Sequence, residues 1–372
     1  MNAAIQLSLP ARVNILGNPS DGNEGDFATI SAAVELRARG SIEPAEGIHL
    51  EQPGEADPET CACSSLPLAY NGRHNLLKGA VNRLYAHSPE FREKLKRHGF
   101  RLVVASDVPR QSGLGGSSLF VLLALTGLRE LYQLDRRLHN DYLLAELTQR
   151  VEARELGIAC GYADRYVPLF GGLAYLDYRG KLLQHDVGQE PYTTYERLDG
   201  MVEPPNLVAV TTGVQHDSGD VHGRMRPRYL AEFTAWQEAG GCGEPPPMVR
   251  FMSGAYETAW RGKIALLEGD LVTFGQLMNH NHRLVDEMML YCGFEDGAGW
   301  ANNLFIRAAY ENGALGAKLT GAGGGGSVFA LVGSEADERR LLQAWERTAQ
   351  QHHLKDAKIY SLEIAKQGLM IT

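Results

Sequence analysis

Pro109-Arg110-Gln111-Ser112-Gly113-Leu114-Gly115-Gly116-Ser117-Ser118 joins a strand-like run, Phe100 to Ala105, to a long apolar helical run, Leu119 to Tyr132. Glycines at such a junction let the backbone bend until several N–H groups point at one spot. The helix that follows adds the positive end of its dipole, so the corner suits a phosphate. It is not a Walker A loop, because no Gly-Lys-Ser/Thr follows the glycines. Taken alone, a loop of this kind is often only a tight strand-to-helix corner, with Ser117 and Ser118 as helix caps.

Two further stretches frame it. Near the N-terminus stands Pro10-Ala11-Arg12-Val13-Asn14-Ile15-Leu16-Gly17-Asn18-Pro19-Ser20-Asp21. Near the C-terminus stands Lys318-Leu319-Thr320-Gly321-Ala322-Gly323-Gly324-Gly325-Gly326-Ser327, leading into the apolar run Val328 to Val332. In this order the three segments resemble the signature motifs of the GHMP kinases, a superfamily that includes galactokinase, homoserine kinase, mevalonate kinase and phosphomevalonate kinase. The resemblance spans nearly the whole chain. It implies an α+β fold of two domains, 1–195 and 196–372, with the active site in the cleft between them, and ATP and Mg2+ as cofactors.

Composition agrees with an enzyme of this size. The chain has 372 residues, enough for a large core and, as a prior, two domains. Apolar residues make up 44% and charged residues 22%, an ordinary globular balance. A net charge of −9 and a pI near 5.8 do not suggest a basic nucleic-acid-binding surface. No signal peptide is read in Met1 to Pro10, and no apolar run is long enough to span a bilayer. Five scattered cysteines fit a reduced cytoplasm better than a disulfide framework. Cys61-Ala62-Cys63 lacks a second ligand pair at zinc spacing. His280-Asn281-His282 does not place both imidazoles on one helix face, and His352-His353 reads as surface.

Periodicity places the motifs on elements. Strands are expected over Leu7 to Leu16, Ala28 to Ile42 and Gly171 to Tyr178, and helices over Asn75 to Leu84, Pro89 to His98 and Asn140 to Leu156. On the last of these, Leu143, Leu144, Leu147 and Val151 share a face. A boundary is expected near Glu190 to Pro205, then a strand from Asn206 to Thr212. Helices follow at Pro227 to Glu238, Met248 to Glu268 and Asp270 to Met289, with a Pro/Gly loop at 239–247.

Phosphoryl transfer needs a phosphate cradle, a magnesium ion and a group that orients or deprotonates the attacking hydroxyl. The resemblance assigns the ATP phosphates to Pro109, Gly113, Leu114, Gly115, Gly116, Ser117 and Ser118, with Gly323 and Gly324 from the third motif. It gives magnesium to Ser118 and Glu152, with Glu155 the competing carboxylate. Glu152 stands twelve residues before Asp164, which becomes the candidate general base. Arg12 would sit beside that aspartate, lower its pKa and steady charge on the phosphoryl group.

The acceptor is written in the first motif. Galactokinases typically show Gly-Glu-His-Thr-Asp, whereas this chain has Gly17-Asn18-Pro19-Ser20-Asp21. Asp21 remains as a partner for a sugar hydroxyl, and Asn18 tolerates a sugar carboxylate that a glutamate would repel. The segment resembles glucuronokinase. So do Glu155-Leu156-Gly157-Ile158, Asp164-Arg165 with Gly171-Gly172-Leu173, and Asp217-Ser218-Gly219-Asp220-Val221-His222 with Arg226 and Arg228. Arg224, Arg226 and Arg228 form a basic cluster in an acidic chain, and bidentate arginine pairing selects a carboxylate. Arg226 and Arg228 are therefore candidate substrate ligands, with the ATP phosphates as the competing partner. The third-motif glycines and the 239–247 loop depart from that pattern, as does Gly115, where plant glucuronokinases tend to have serine. Galactose, arabinose, a heptose phosphate or a mevalonate-type alcohol stay open as acceptors. A catalytically silent sugar sensor is disfavoured by the intact catalytic set.

Overall fold

The computed structural model describes residues 4–372 apart from 24, 26, 55, 110, 111, 182–185, 215–217 and 322. Arg110, Gln111, Asp217 and Ala322 of the quoted motifs lie outside the described residues.

The chain opens with its longest antiparallel pair, β1 (Ile5–Leu16) and β2 (Ala28–Ala45). Then come β3 (Ile48–Gln52), β4 (Ala56–Cys61), α1 (Asn75–His87), α2 (Pro89–Leu95) and β5 (Gly99–Ser106). The phosphate-type loop leads into α3 (Gly116–Leu131), followed by α4 (Asp141–Arg150), α5 (Ala163–Phe170), β6 (Leu173–Asp177) and β7 (Thr194–Arg197). These strands form one mixed sheet in which only β3 and β5 run parallel. α3 lies on it closely: a Cβ on Gly127 would stand 3.0 Å from Leu7.

The second part runs β8 (Leu207–Thr211), α6 (Ser218–Glu238), α7 (Pro247–Glu268), α8 (Leu271–Tyr291), α9 (Trp300–Glu311), β9 (Gly316–Thr320), β10 (Ser327–Leu331), α10 (Glu335–Gln351) and β11 (Lys358–Leu362). Its sheet is antiparallel, in the order β11-β8-β10-β9. A separate core of Val208, Phe305, Val328, Leu341 and Trp345 backs it. The chain ends back on the first sheet, where β12 (Met370–Ile371) pairs with β1. α7 also meets that sheet, at Gly262, where a Cβ would come within 2.2 Å of Leu16. The fold is thus α+β, and β1 is buried by helices from both parts. Among the described residues, no helix is long and apolar enough to cross a membrane.

Two elements depart from the periodicity reading. The helix expected through Leu156 ends at Arg150 and widens into a single π turn, Val151–Glu155. Turns of this kind insert one residue into the ladder and re-aim the side chains after it. α6 begins nine residues before Pro227 and runs through it. Proline suits a helix's first turn and inside one removes a backbone hydrogen bond; α6 nonetheless runs through Pro227, with Asp220 and Arg224 forming an i,i+4 ion pair upstream at 2.9 Å.

Candidate active site

Side chains alternate along a strand, so Arg12 and Asn14 of β1 share a face. Both are buried, and both reach Asp164 in the first turn of α5. Arg12 Nε donates to Asp164 Oδ1 at 2.6 Å and its Nη2 lies 2.5 Å from Oδ2. Asn14 Nδ2 adds a longer contact to Oδ1, at 3.4 Å. The Asp164 side chain keeps 23% of its surface while Arg12 keeps 3%, so the carboxylate is the member of the pair that a ligand can touch. Burial alone would raise its pKa. The Arg12 and Arg165 guanidinium groups outweigh that and hold Asp164 well below the usual carboxylate range.

Arg12 also ties this pair to the glycine loop. Its Nη1 donates to the Gly113 carbonyl, and its backbone N–H to Leu114 O at 3.3 Å. Gly113 has φ +72°, and a Cβ there would stand 2.6 Å from Thr320 O. The loop therefore lies backbone-to-backbone on the third motif, where Ser327 Oγ donates to Ser112 O at 2.6 Å. Thr320 Oγ1 accepts the Asn14 N–H at 3.1 Å. The three motif segments meet at one place. Gly115 precedes α3 with φ +85°, and no side chain caps that helix. The first amides, on Gly116, Ser117 and Ser118, have no intrahelical acceptor, which leaves a cradle for an anion. Ser117 is exposed, Ser118 and Leu114 are buried, and Pro109 is half-buried at the loop's start.

Ser118 Oγ donates to Glu152 Oε2 at 2.9 Å, so the two expected metal ligands adjoin. The π turn separates Glu152 from its competitor. Glu152 is buried against Ser118 and the Arg165 guanidinium, whereas Glu155 pairs with Arg83 at 2.6 Å and Tyr70 at 3.1 Å. A hydroxyl and a carboxylate are hard oxygen donors of the kind magnesium takes, with phosphate oxygens and water completing its shell.

Other expected ligands are placed differently. Asn18 is buried with both amide ends occupied: Oδ1 accepts from Lys318 Nζ at 2.7 Å and Nδ2 donates to Gly321 O at 3.4 Å. It braces the first motif on the third. Asp21 Oδ2 accepts the N–H groups of Tyr162 and Ala163 at 3.0 and 3.1 Å, anchoring the start of α5. Burial and the Asp164 charge raise its pKa against those two amides. Gly323 packs on Met289, and the Gly324 N–H is spent on Ala298 O at 2.9 Å, so these glycines hold the third motif to the α8–α9 junction. The arginine cluster is divided. Arg224 stacks on Phe294 and Arg228 on Tyr291, with ring distances of 4.6 and 3.9 Å, while Arg226 acts electrostatically on His222. A groove of about 730 Å³ between α8 and α9 contains Asp286, Asn303 and Arg307 and none of the motif residues.

The motif reading gave no role to Asn14, Arg165 or Lys318. Lys318 is wholly buried and donates to Asn14 O, Asn18 Oδ1 and Leu319 O at 3.3, 2.7 and 2.9 Å. Burial pushes it down to about 7. Its spacing from Thr320 on β9 was the available signal, since residues two apart face the same way.

Comparison with known proteins adds relatives. A model described as GHMP kinases N terminal domain matches residues 75–172, and one described as GHMP kinases C terminal matches 263–351. The chain is 31% identical over 336 residues, 87% of its length, to a probable glucuronokinase of Arabidopsis thaliana, covering 83% of that protein. It is 27% identical to a galactokinase of Roseiflexus sp., covering 87% of this chain and 82% of the relative. The structure of Lactococcus lactis galactokinase complexed with galactose superposes with a TM-score of 0.76 at 19% identity, covering 99% and 95% of the two chains.

Proposed function

This chain belongs to the GHMP kinases, and from that premise we propose an ATP- and magnesium-dependent sugar kinase that phosphorylates the anomeric hydroxyl of a monosaccharide. D-Glucuronate is the favoured acceptor. The observation that carries the reading is the junction of two pairs at one glycine loop: Arg12 with Asp164, and Ser118 with Glu152.

In this reading the loop amides and the N-terminus of α3 bind the ATP phosphates. Ser118 and Glu152 would hold magnesium, which when bound would neutralise phosphate charge. Asp164, ionised and partly exposed, accepts a hydrogen bond from the C1 hydroxyl and aims it at the γ-phosphorus. The new O–P bond forms as the bond to ADP breaks, and the hydroxyl proton passes to the Asp164 carboxylate. A carboxylate of such low basicity takes that proton late, so its main contribution is orientation. Arg12 keeps it ionised and adds positive charge beside Gly113. The halves 1–195 and 196–372 would face each other across the substrates.

Two observations favour a uronate. Asn18 leaves the first motif uncharged where galactokinases carry glutamate, and Arg226 supplies a cation on the α6 side. The relative of Arabidopsis thaliana named as a probable glucuronokinase supports the same choice. Phosphorus and proton NMR of the product test the chemistry: a phosphate coupled to H1 fits, and one coupled to another ring proton does not.

A further inference from the structure

One polar ring near Asp164 takes no part in the pairs above. His222, in the second turn of α6, lies on the Ser20–Gly22 turn. Its Cε1 and Nδ1 are 3.1 and 3.2 Å from where a Cβ on Gly22 would stand. The same turn carries Asp21, whose Oδ2 anchors the start of α5. The ring is close enough for the charges of Asp164, Arg165 and Arg226 to act on it. Among the described residues, neither ring nitrogen has a protein hydrogen-bond partner, and Nδ1 is sealed from solvent.

Buried polar atoms are nearly always satisfied, and an exception in a site calls for a ligand. Burial keeps the imidazole neutral, pushed down to about 4, so it offers one donor and one acceptor. A sugar hydroxyl is the matching group, since it donates and accepts at once. Neither an ammonium nor a bare phosphate does both. Gly22 is what lets the ring lie there, because any side chain would press on it.

We propose that His222 is a specificity-determining residue of the acceptor site, hydrogen-bonding through its imidazole to a ring hydroxyl of the sugar whose C1 hydroxyl Asp164 orients. The inference rests on the sugar-kinase reading and adds a ligand that the signature motifs do not name.

The test compares steady-state KM for the acceptor and for Mg-ATP in the wild type, His222→Ala, His222→Asn and His222→Gln. The asparagine amide stands in for Nδ1 and the glutamine amide for Nε2. Loss of one neutral hydrogen bond predicts an acceptor KM raised about tenfold in His222→Ala. Its Mg-ATP KM should stay within about twofold, and one of the two amides should recover most of the loss. Gly22→Ala, which displaces the ring without removing it, should raise the acceptor KM by less and serves if His222→Ala does not fold. An unchanged acceptor KM in His222→Ala or in Gly22→Ala overturns the proposal, as does a parallel rise in both KM values with no amide rescue. A wild type that phosphorylates no sugar defeats the kinase reading itself. That result is distinct from an active wild type indifferent to His222.

Discussion

Ser118 Oγ reaches Glu152 Oε2 across 2.9 Å, joining the first turn of α3 to a carboxylate 34 residues further along the chain. The π turn Val151–Glu155 aims Glu152 inward, while Glu155 goes to Arg83. If this pair holds magnesium, Glu152→Gln lowers kcat about a hundredfold or more and raises the magnesium concentration needed for half-maximal rate. Glu155→Gln leaves both within about twofold, because its half-buried pair with Arg83 lies apart from Ser118 and takes no part in the metal site. Magnesium titrations of the two variants check the assignment.

Arg12 holds the Asp164 carboxyl far down, so the pair sets the acid limb of the rate profile. A depressed aspartate stays ionised until the pH falls through its folded pKa. The wild-type kcat should therefore show no Asp164 ionisation between about pH 8 and about pH 5. In Arg12→Met the carboxyl loses the nearer of its two guanidinium partners, Arg165 alone remaining at 3.7 Å, and burial weighs more. Its pKa then rises, and an acid limb enters that window. Asp164→Asn should lose about 10² to 10⁴ in kcat at every pH.

Lys318 makes a stability prediction with a definite sign. Unfolded, a lysine keeps its proton to about pH 10.4; folded, burial pushes this one down to about 7. Between those values the unfolded chain binds more protons, so stability rises with pH. Relative to Lys318→Met, the wild type should gain about 2–3 kcal/mol between about pH 7 and about pH 9 in urea unfolding. A flat difference would mean that the three oxygens around Nζ keep the ammonium charged.

A buried charge network adjoins Tyr162, the residue before α5. Glu146, Arg150, Lys181 and Glu190 each keep no more than 2% of their side-chain surface, and Tyr162 Oη joins them at 3.2 Å from Glu190. Lys181→Met removes one cation and leaves two carboxylates facing a single arginine, with an expected cost of about 3–5 kcal/mol. Denaturant unfolding checks this, and a loss below about 1 kcal/mol would show the network to be hydrated.

Much of this was legible from sequence. The β1 and β2 runs, the α3 run and the glycine loop between β5 and α3 announce themselves through period and punctuation. Asp164 and Arg12 could be named because their motif neighbours are specific. The resemblance's spacing to Asp164 favours Glu152 over Glu155, and where a regular helix is expected a π turn sets Glu152 beside Ser118 and Glu155 beside Arg83. Asn18, Asp21 and Gly324 read as ligands because their types suit ligands, yet their polar groups are wholly or partly used to brace one motif on another. The arginine cluster reads as one patch because the three residues stand close together in an acidic chain. Once α6 begins at Ser218, Arg224 and Arg228 share a face and Arg226 does not. Contacts between residues some 300 apart, such as Lys318 with Asn18, carry no local signal at all.

The central claim is a sugar kinase that acts through Asp164, with a uronate as acceptor. ADP release with magnesium-ATP across glucuronate, galacturonate, galactose, arabinose and a heptose 7-phosphate, with Asp164→Asn as the control, tests it most directly. The account predicts turnover on glucuronate above all others, cut about a hundredfold or more in the variant. Turnover on none of the sugars, or glucuronate turnover undiminished in Asp164→Asn, would contradict it.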